Sequence, residues 1–125
     1  YAAQAMQWAI SNGGLASEMS YPYLMQDHWC EAGDVSSGVK LKGYVNVSYA
    51  DEAALQDAVA TVGPVAIAID AMYPSLTFYE SGVYSDPNCK SDLDSLDHEV
   101  LAVGYGTTES GQQYWLIKNS WSTHW

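Results

Sequence analysis

Residues 98–119 read HEVLAVGYGTTESGQQYWLIKN, two apolar segments separated by the short polar stretch TTESG. Each apolar segment is long enough for a strand and rich in β-branched or aromatic residues, and the stretch between them is typical of a turn. Strands joined by so short a connection pair antiparallel. The beginning of the first strand therefore lies beside the end of the second, and this hairpin decides how the rest of the chain is interpreted.

Two side chains that could take part in catalysis occupy those neighbouring ends, His98 in the first strand and Asn119 in the second. An amide oxygen that accepts from one imidazole nitrogen fixes the tautomer and leaves the other nitrogen free to take a proton. Such a pair is two-thirds of a nucleophile, base and orienting-group arrangement. A carboxylate in the orienting place would suit a serine nucleophile, whereas a neutral amide suits a histidine already charged by a neighbouring thiol. We therefore expect a cysteine nucleophile.

The first third of the chain is predicted to be a helix followed by a loop. Apolar residues repeat at helical spacing within residues 1–12, and Gly13-Gly14 supplies the left-handed turn that ends a helix. Residues 15–38 contain SYPY and a stretch rich in Gly and Ser without a sustained period. We interpret them as a long structured loop, and the change in composition near residue 38 marks the expected domain boundary.

The segment after that boundary predicts a strand and then a helix. VKLKGYVNV, residues 39–47, has β-branched residues in imperfect alternation. Ser48-x-x-Asp51 is typical of a helix start, and Gly63-Pro64 ends the helix. The apolar stripe of this helix consists of Leu55, Ala58, Val59 and Val62.

The following segment, PVAIAIDA, is almost continuously apolar, which predicts a strand buried on both faces. A short helical turn is expected within residues 73–79. Together with the hairpin, these elements give the second two-thirds of the chain a strand, a helix and three further strands. The fold class is therefore α+β.

Composition excludes several classes of partner. The 125 residues carry 15 acidic and four basic side chains, a net charge of −11. This excess repels phosphate backbones and anionic membrane surfaces, so neither nucleic acid nor membrane is an expected partner. No segment approaches the ~18 consecutive apolar residues of a membrane span. With 48% hydrophobic residues the chain has enough apolar material for a packed core.

Cysteine usage leaves alternatives open when spacing alone is considered. Cys30 and Cys89 can pair with each other, stay free or pair with other cysteines, and they fit neither a zinc nor a CxxC pattern. The acidic segment 90–97 lacks the spacing of a calcium loop. No metal and no other cofactor are therefore expected. Asn46-Val47-Ser48 is a glycosylation sequon, which is meaningful only in a secreted protein.

Several of these segments together resemble a known family. DHEVLAVGYG and YWLIKNSW resemble the His and Asn segments of the papain-like cysteine proteases, in particular the cathepsin L branch. NGGL…SYPY, AVATVGPVAIAIDA and FYESGVY match that branch in order and spacing, so the resemblance covers essentially the whole chain. It implies a papain-like two-lobe fold. Residues 1–38 would be the remnant of the helical left lobe, and residues 39–125 the β-rich right lobe that carries the catalytic His and Asn.

The resemblance implies a role for each matching residue. His98 would be the general base, Asn119 would orient it, and Trp121 would cover the bond between them. A pocket for the second substrate side chain before the scissile bond would form around Asp97, and Trp125 would wall the leaving-group side. The substrate-binding residues that the resemblance implies are Ala68, Leu96, Asp97, Glu99, Trp121 and Trp125.

The resemblance also implies what lies outside the chain. The nucleophilic cysteine of this family precedes the His by roughly 130–150 residues, which places it upstream of Tyr1. Cys30 and Cys89 match disulfide cysteines whose partners would precede Tyr1 and follow Trp125 respectively. We therefore expect an internal segment of a cysteine endopeptidase, inactive by itself. Expected partners are protein or peptide substrates, the remainder of the protease domain, and a propeptide or cystatin-type inhibitors. The expected location is lysosomal or secreted, including digestive.

Two residues depart from the family pattern. Glu99 stands where Gly or Ala usually follows the His, and it would narrow the specificity pocket or bring charge into it, which favours basic or small substrate side chains. Ser122 replaces the glycine that commonly follows KNSW, as in the non-proteolytic silicateins. A catalytically altered, scaffold-like homologue is therefore one alternative to a protease. A stand-alone acidic binding module is another, which requires these 125 residues to fold alone.

Overall fold

The computed structural model describes residues 1–32 and 37–125, and its contacts divide the chain into two units, Tyr1–Asn46 and Val47–Trp125. The predicted loop 15–38 includes residues 33–36, which lie outside the described residues. The second unit contains the hairpin and both predicted catalytic side chains.

The first unit begins with the predicted helix, α1, at Ala2–Ser11. Its end follows from Gly13, whose φ of 81° suits a residue without a Cβ. The Gly14 N–H then donates to the Ala9 carbonyl at 2.8 Å, which closes the last turn. Strand β1, Leu15–Ala16, pairs antiparallel with strand β2, Ser37–Val39.

The strand predicted over residues 39–47 is wrong beyond Val39. Residues 40–47 adopt neither helix nor strand. A strand requires a neighbour to complete its hydrogen bonds, and the neighbour of β2 is the two-residue β1, which pairs Leu15 with Val39. Residues of high β-propensity beyond that pair therefore have no ladder within the described chain.

The second unit begins with helix α2, Glu52–Thr61. The Asp51 carboxylate caps it by accepting from the Ala54 N–H at 2.9 Å, so Asp51 and not Ser48 is the N-cap. The predicted stripe is half-buried except at Val62, which is 87% exposed because it follows the last helical turn. Gly63, at a φ of 126°, turns the chain out of the helix.

Three antiparallel strands form the sheet that positions the site, in the order β3-β4-β5. They are β3, Val65–Ile69; β4, His98–Thr107; and β5, Gln113–Lys118. The short helix α3, Pro74–Thr77, lies between the first two strands in sequence. The core of this unit consists of Val100 and Ala102 on the central strand together with Leu76. The predicted hairpin of β4 and β5 is confirmed.

Strand β3 differs from its prediction in one respect. All five of its residues are half-buried, whereas the continuous apolar pattern predicts burial on both faces. The reason is its position, because β3 is an edge strand of the described sheet and is paired along one side. Across this chain, no helix within the described ranges is both long enough and apolar enough to traverse a bilayer.

Candidate active site

The β4–β5 register brings the two predicted catalytic side chains together. Leu101 pairs with Lys118, so the strand start at His98 and the residue after β5, Asn119, lie at the same end of the hairpin. The His98 Nε2 and the Asn119 Oδ1 are 2.8 Å apart in a partly buried hydrogen bond. The tight turn at the far end contributes to this register, since the Thr108 N–H donates to the Gln112 carbonyl at 2.9 Å.

The partners of the Asn119 amide define the tautomer of the histidine. Its Oδ1 also accepts from the Ser120 N–H at 2.7 Å, and this backbone donor identifies the atom as the oxygen. An amide oxygen only accepts, so Nε2 of His98 carries the proton. Nδ1 of the neutral ring is consequently the nitrogen that can take a proton from a nucleophile.

Trp121 lies against the histidine of this pair. Its ring stacks on the His98 imidazole with centroids 4.9 Å apart and planes inclined by 30°. Both residues are half-buried. An aromatic cover removes competing water, which strengthens a hydrogen bond by lowering the local dielectric constant.

The start of β4 is anchored to the end of β3. Ile69 pairs with His98, and the Asp97 N–H donates to the Ile69 carbonyl at 3.1 Å. The Asp97 side chain adds a second bond by accepting from the Ala71 N–H at 2.8 Å. The backbone that carries His98 is thus fixed to β3 and to the residues that follow it.

The residues predicted to bind substrate fall into two groups. Ala68 pairs with Glu99 across the β3–β4 ladder, and Leu96 and Asp97 directly precede β4. A concavity of about 230 Å³ includes Glu99 of this group and reaches Asn119, whereas Ala68, Leu96 and Asp97 do not line it. Its lining residues are Glu99, Val100, Leu101, Lys118, Asn119 and Ser120.

The second group is aromatic. Trp125 packs edge-on against Trp121 with centroids 5.2 Å apart, and its Nε1–H donates to the Leu76 carbonyl at 3.1 Å. The Tyr79 ring lies 5.6 Å from the Trp125 ring. Sequence analysis did not identify Leu76 and Tyr79 as contacts of Trp125, because contacts between residues 40 or more positions apart leave no local pattern.

Cys89 does not have the environment of an activated nucleophile. Cys30 and Cys89 are both unpaired and exposed. The Cys89 Sγ lies 3.9 Å from the Asp70 carbonyl oxygen, and partial burial of the thiol raises its pKa, to which the negative charges of Asp70 and Asp86 add. A thiol whose pKa is raised is a poor nucleophile at neutral or acidic pH. Within the described ranges, no three His, Cys, Asp or Glu side chains are grouped so that they could hold a metal ion.

A histidine oriented by an amide under a tryptophan, on an antiparallel sheet in an α+β fold, is the arrangement of a papain-type thiol protease. The chain belongs to this family, because the family model described as "Papain family cysteine protease" matches residues 1–125. The resemblance inferred from the sequence is confirmed.

Individual relatives are cathepsins. A cathepsin L-like peptidase of Aedes aegypti is 53% identical over 121 residues, which are 97% of this chain and 35% of that protein. Cathepsin L1 of Drosophila melanogaster is 47% identical over 97% of this chain and 32% of its own length. The chain therefore spans about a third of the length of these curated relatives.

Solved structures confirm the predicted fold. Digestive procathepsin L2 from the larval midgut of Tenebrio molitor matches with a TM-score of 0.86 and 45% identity, over 100% of this chain and 38% of that one. Bromelain from Ananas comosus, in complex with the E64 inhibitor, matches with a TM-score of 0.85 and 34% identity, over 100% and 55% respectively. The α+β, papain-like class is thus shown for this chain.

Proposed function

We propose that the chain is part of a cathepsin L-like cysteine endopeptidase that hydrolyses peptide bonds through a Cys-His-Asn arrangement, with the Cys upstream of Tyr1. The observation that carries this proposal is the 2.8 Å bond between His98 Nε2 and Asn119 Oδ1 beneath the Trp121 ring. This geometry leaves Nδ1 available to a thiol, which is the requirement for general-base activation of a nucleophile.

The reaction follows from the protonation states. The His98 Nδ1 takes the thiol proton, which gives an imidazolium beside a thiolate, and the thiolate attacks the scissile carbonyl carbon. The imidazolium then donates its proton to the departing amine as the acyl-enzyme forms. His98 next removes a proton from water, which attacks the acyl-enzyme and releases the acid and the thiol. Asn119 keeps the ring aligned throughout, and its neutral amide suits a resting state in which the histidine is already charged.

The substrate-binding roles are part of the same proposal. Ala68, Leu96, Asp97 and Glu99 line the pocket for the second side chain before the scissile bond, and the pairing of Ala68 with Glu99 across the β3–β4 ladder supports this assignment. Trp121 and Trp125 form the wall on the leaving-group side; their mutual packing supports this role.

The wider assignment concerns the whole protease. Residues 1–38 belong to its helical left lobe and residues 39–125 to its β-rich right lobe, and Cys30 and Cys89 form disulfides with cysteines outside this chain. A propeptide precedes the mature enzyme, as in the Tenebrio procathepsins, and cystatin-type inhibitors are further partners. The enzyme acts on proteins or peptides in a lysosome or, as one relative is named a digestive cysteine proteinase, in a secreted digestive fluid.

The direct test is covalent labelling of the full-length protein by an epoxysuccinyl inhibitor of the E64 type, read by mass spectrometry. A single adduct on a cysteine upstream of Tyr1 supports the proposal, and His98→Ala should abolish the labelling. Absence of the adduct in a folded, reduced protein would refute it.

A catalytically altered homologue is the second candidate, and Ser122 is the observation that favours it, because the chain shares KNSWS with silicateins. Ser122 occupies a φ of 70°, a conformation that favours glycine. A serine or glycine at the nucleophile position would decide for this candidate, and a cysteine that labels would exclude it.

A further inference from the structure

A second concavity, of about 500 Å³, lies between the first turns of α2 and the far end of the β4–β5 hairpin. On the helix it is lined by Glu52 and Gln56, which lie four residues apart and therefore on the same side. On the hairpin it is lined by Tyr105 and Trp115, which pair directly across the ladder. Tyr105 lies seven residues along β4 from His98, roughly 20 Å at the rise of a strand. The concavity is therefore separate from the candidate active site.

Two aromatic rings form the wall of this concavity on the hairpin. The rings of Tyr105 and Trp115 meet edge to face, with centroids 6.0 Å apart and planes inclined by 74°. In this arrangement the ring that presents its edge keeps both faces clear of its partner, and Tyr105 is 44% exposed. The face of an aromatic ring carries negative potential and attracts a cation that lies within ~6 Å of its centre. The wall therefore favours a positively charged ligand.

The charge of the lining favours the same kind of ligand. Among the described residues that line the concavity, Glu52 alone carries a charge, and it is exposed at the start of α2. Within residues 1–32 and 37–125 its carboxylate takes part in no ion pair. None of the chain's four lysines lines the concavity. A cation that enters therefore displaces no resident partner of this carboxylate.

Hydrogen-bonding capacity distinguishes between the possible cations. The Glu52 carboxylate accepts on two oxygens, and the side-chain amides of Gln56 and Gln113 add further acceptor atoms to the lining. A guanidinium is planar and carries five N–H donors, so it stacks on a ring face and donates from its edge at the same time. An ammonium is a compact, strongly hydrated point charge that cannot stack in this way. An arginine side chain is therefore the ligand that uses both the aromatic wall and the carboxylate.

We propose that this concavity is a second binding site of the protein, which takes the arginine side chain of a polypeptide. The guanidinium lies against the Tyr105–Trp115 pair and donates hydrogen bonds to the Glu52 carboxylate. An extended polypeptide needs at least roughly six residues to reach from the concavity to the His98–Asn119 pair. The site therefore holds a polypeptide by a residue remote from any bond that is cut. Binding requires no nucleophile, so the inference goes beyond the proposed function.

The experiment titrates the isotope-labelled full-length protein, treated beforehand with an epoxysuccinyl inhibitor, with N-acetylarginine methylamide. The lysine and citrulline analogues are titrated in parallel, because citrulline keeps the shape of arginine without its charge. The readout is the NMR shift of the Trp115 indole N–H, assigned by its loss in Trp115→Phe. Glu52→Gln removes the charge of the site. Asp57→Asn is the matched control, because it removes the same charge from the same helix outside the concavity.

We expect a saturable shift with the arginine compound, a weaker one with lysine and the weakest with citrulline. Glu52→Gln should weaken arginine binding by about fivefold, the upper range for an exposed ion pair, and Asp57→Asn should leave it unchanged. Tyr105→Leu should weaken it by roughly two- to fivefold through the lost cation–π contact. Tyr105→Phe keeps the ring and should restore the affinity.

Three outcomes overturn the inference. The first is the absence of a saturable shift with the arginine compound. The second is equal binding of arginine and citrulline, which would mean that charge is not recognised. The third is an equal loss in Glu52→Gln and Asp57→Asn, which would reflect the general negative field of the protein. Each result is independent of whether the inhibitor attaches to a cysteine, so a failure of this site and a failure of the proposed function are distinguished.

Discussion

Replacing Asn119 by alanine tests the central feature of the site, because it removes one hydrogen bond and leaves the chemical base in place. The bond joins the Asn119 Oδ1 to the His98 Nε2 at 2.8 Å. In the proposed function the histidine is charged through much of the reaction. A hydrogen bond to a charged group contributes roughly 1.5–3 kcal/mol. At 1.36 kcal/mol per factor of ten, Asn119→Ala should lower kcat/KM by roughly 10- to 150-fold.

The assay is steady-state hydrolysis of a fluorogenic peptide by the full-length enzyme, with active-site titration to count competent molecules and thermal unfolding to show that the variant is folded. His98→Ala is the reference, because removing the base should reduce kcat/KM by roughly 10⁴-fold or more. Asn119→Asp separates orientation from charge. It keeps an acceptor, so its loss should be smaller than that of alanine, and its carboxylate should raise the pKa of the imidazolium. The alkaline limb of the pH profile should therefore move to higher pH.

Two results would refute this reasoning. Losses of equal size in Asn119→Ala and His98→Ala would mean that the amide does more than orient the ring. No loss in Asn119→Ala would mean that the bond between the two side chains does not control the position of the base.

Three further changes test other contacts of the second unit. Trp121→Ala should admit water to the His98–Asn119 hydrogen bond, so the loss of kcat/KM caused by Asn119→Ala should be smaller in that background. A double-mutant cycle on kcat/KM measures the coupling, and strict additivity would contradict the shielding role. Ser122→Gly and Ser122→Ala lose the same side-chain oxygen, but only glycine relieves the backbone strain at a φ of 70°. Denaturant unfolding should therefore find the glycine variant more stable than the alanine variant by about 1 kcal/mol. Equal stabilities of the two variants would contradict this strain. The Ser75 hydroxyl donates a hydrogen bond to the Asp86 carboxylate and holds the pKa of that carboxyl below its ordinary 3.8. This pair therefore contributes stability that is present above pH 3.8 and is lost as the pH falls through the lower folded-state pKa. Ser75→Ala should remove that contribution, and an unchanged pH dependence of the unfolding free energy would disprove it.

The hairpin was predictable because everything that defines it is local. Two strand-length apolar segments and a polar turn specify an antiparallel pair, and that pair alone places His98 near Asn119. The helices were predictable for the same reason, since α2 begins at an acidic cap and ends at Gly63. The last residue of a helix is harder to predict from periodicity, since Val62 fits the apolar stripe of α2 but lies beyond its end and is exposed.

Features that depend on distant partners could not be read from the sequence. Residues 40–47 have the composition of a strand, but strand formation depends on a neighbouring ladder that the pattern does not encode. Trp125 donates a hydrogen bond to the carbonyl of Leu76, 49 residues away in sequence, and neither residue type indicates this contact. The same holds for the buried Asp70, whose carboxylate accepts from the Lys90 N–H at 3.0 Å.

The orientation of His98 is restrained on three sides, and this explains why a neutral amide is sufficient to direct the base. The Asn119 oxygen fixes Nε2 at 2.8 Å, the Trp121 ring restricts rotation of the imidazole at 4.9 Å, and the Asp97 N–H ties the adjoining backbone to β3 at 3.1 Å. A carboxylate in place of the amide would add an attraction that holds the proton on the ring, which opposes its donation to the departing amine. With the ring already positioned by packing and by the sheet, the orienting group needs only to accept one hydrogen bond. The amide therefore supplies direction without an added negative charge, which suits the proton transfers to and from a thiol in the proposed function.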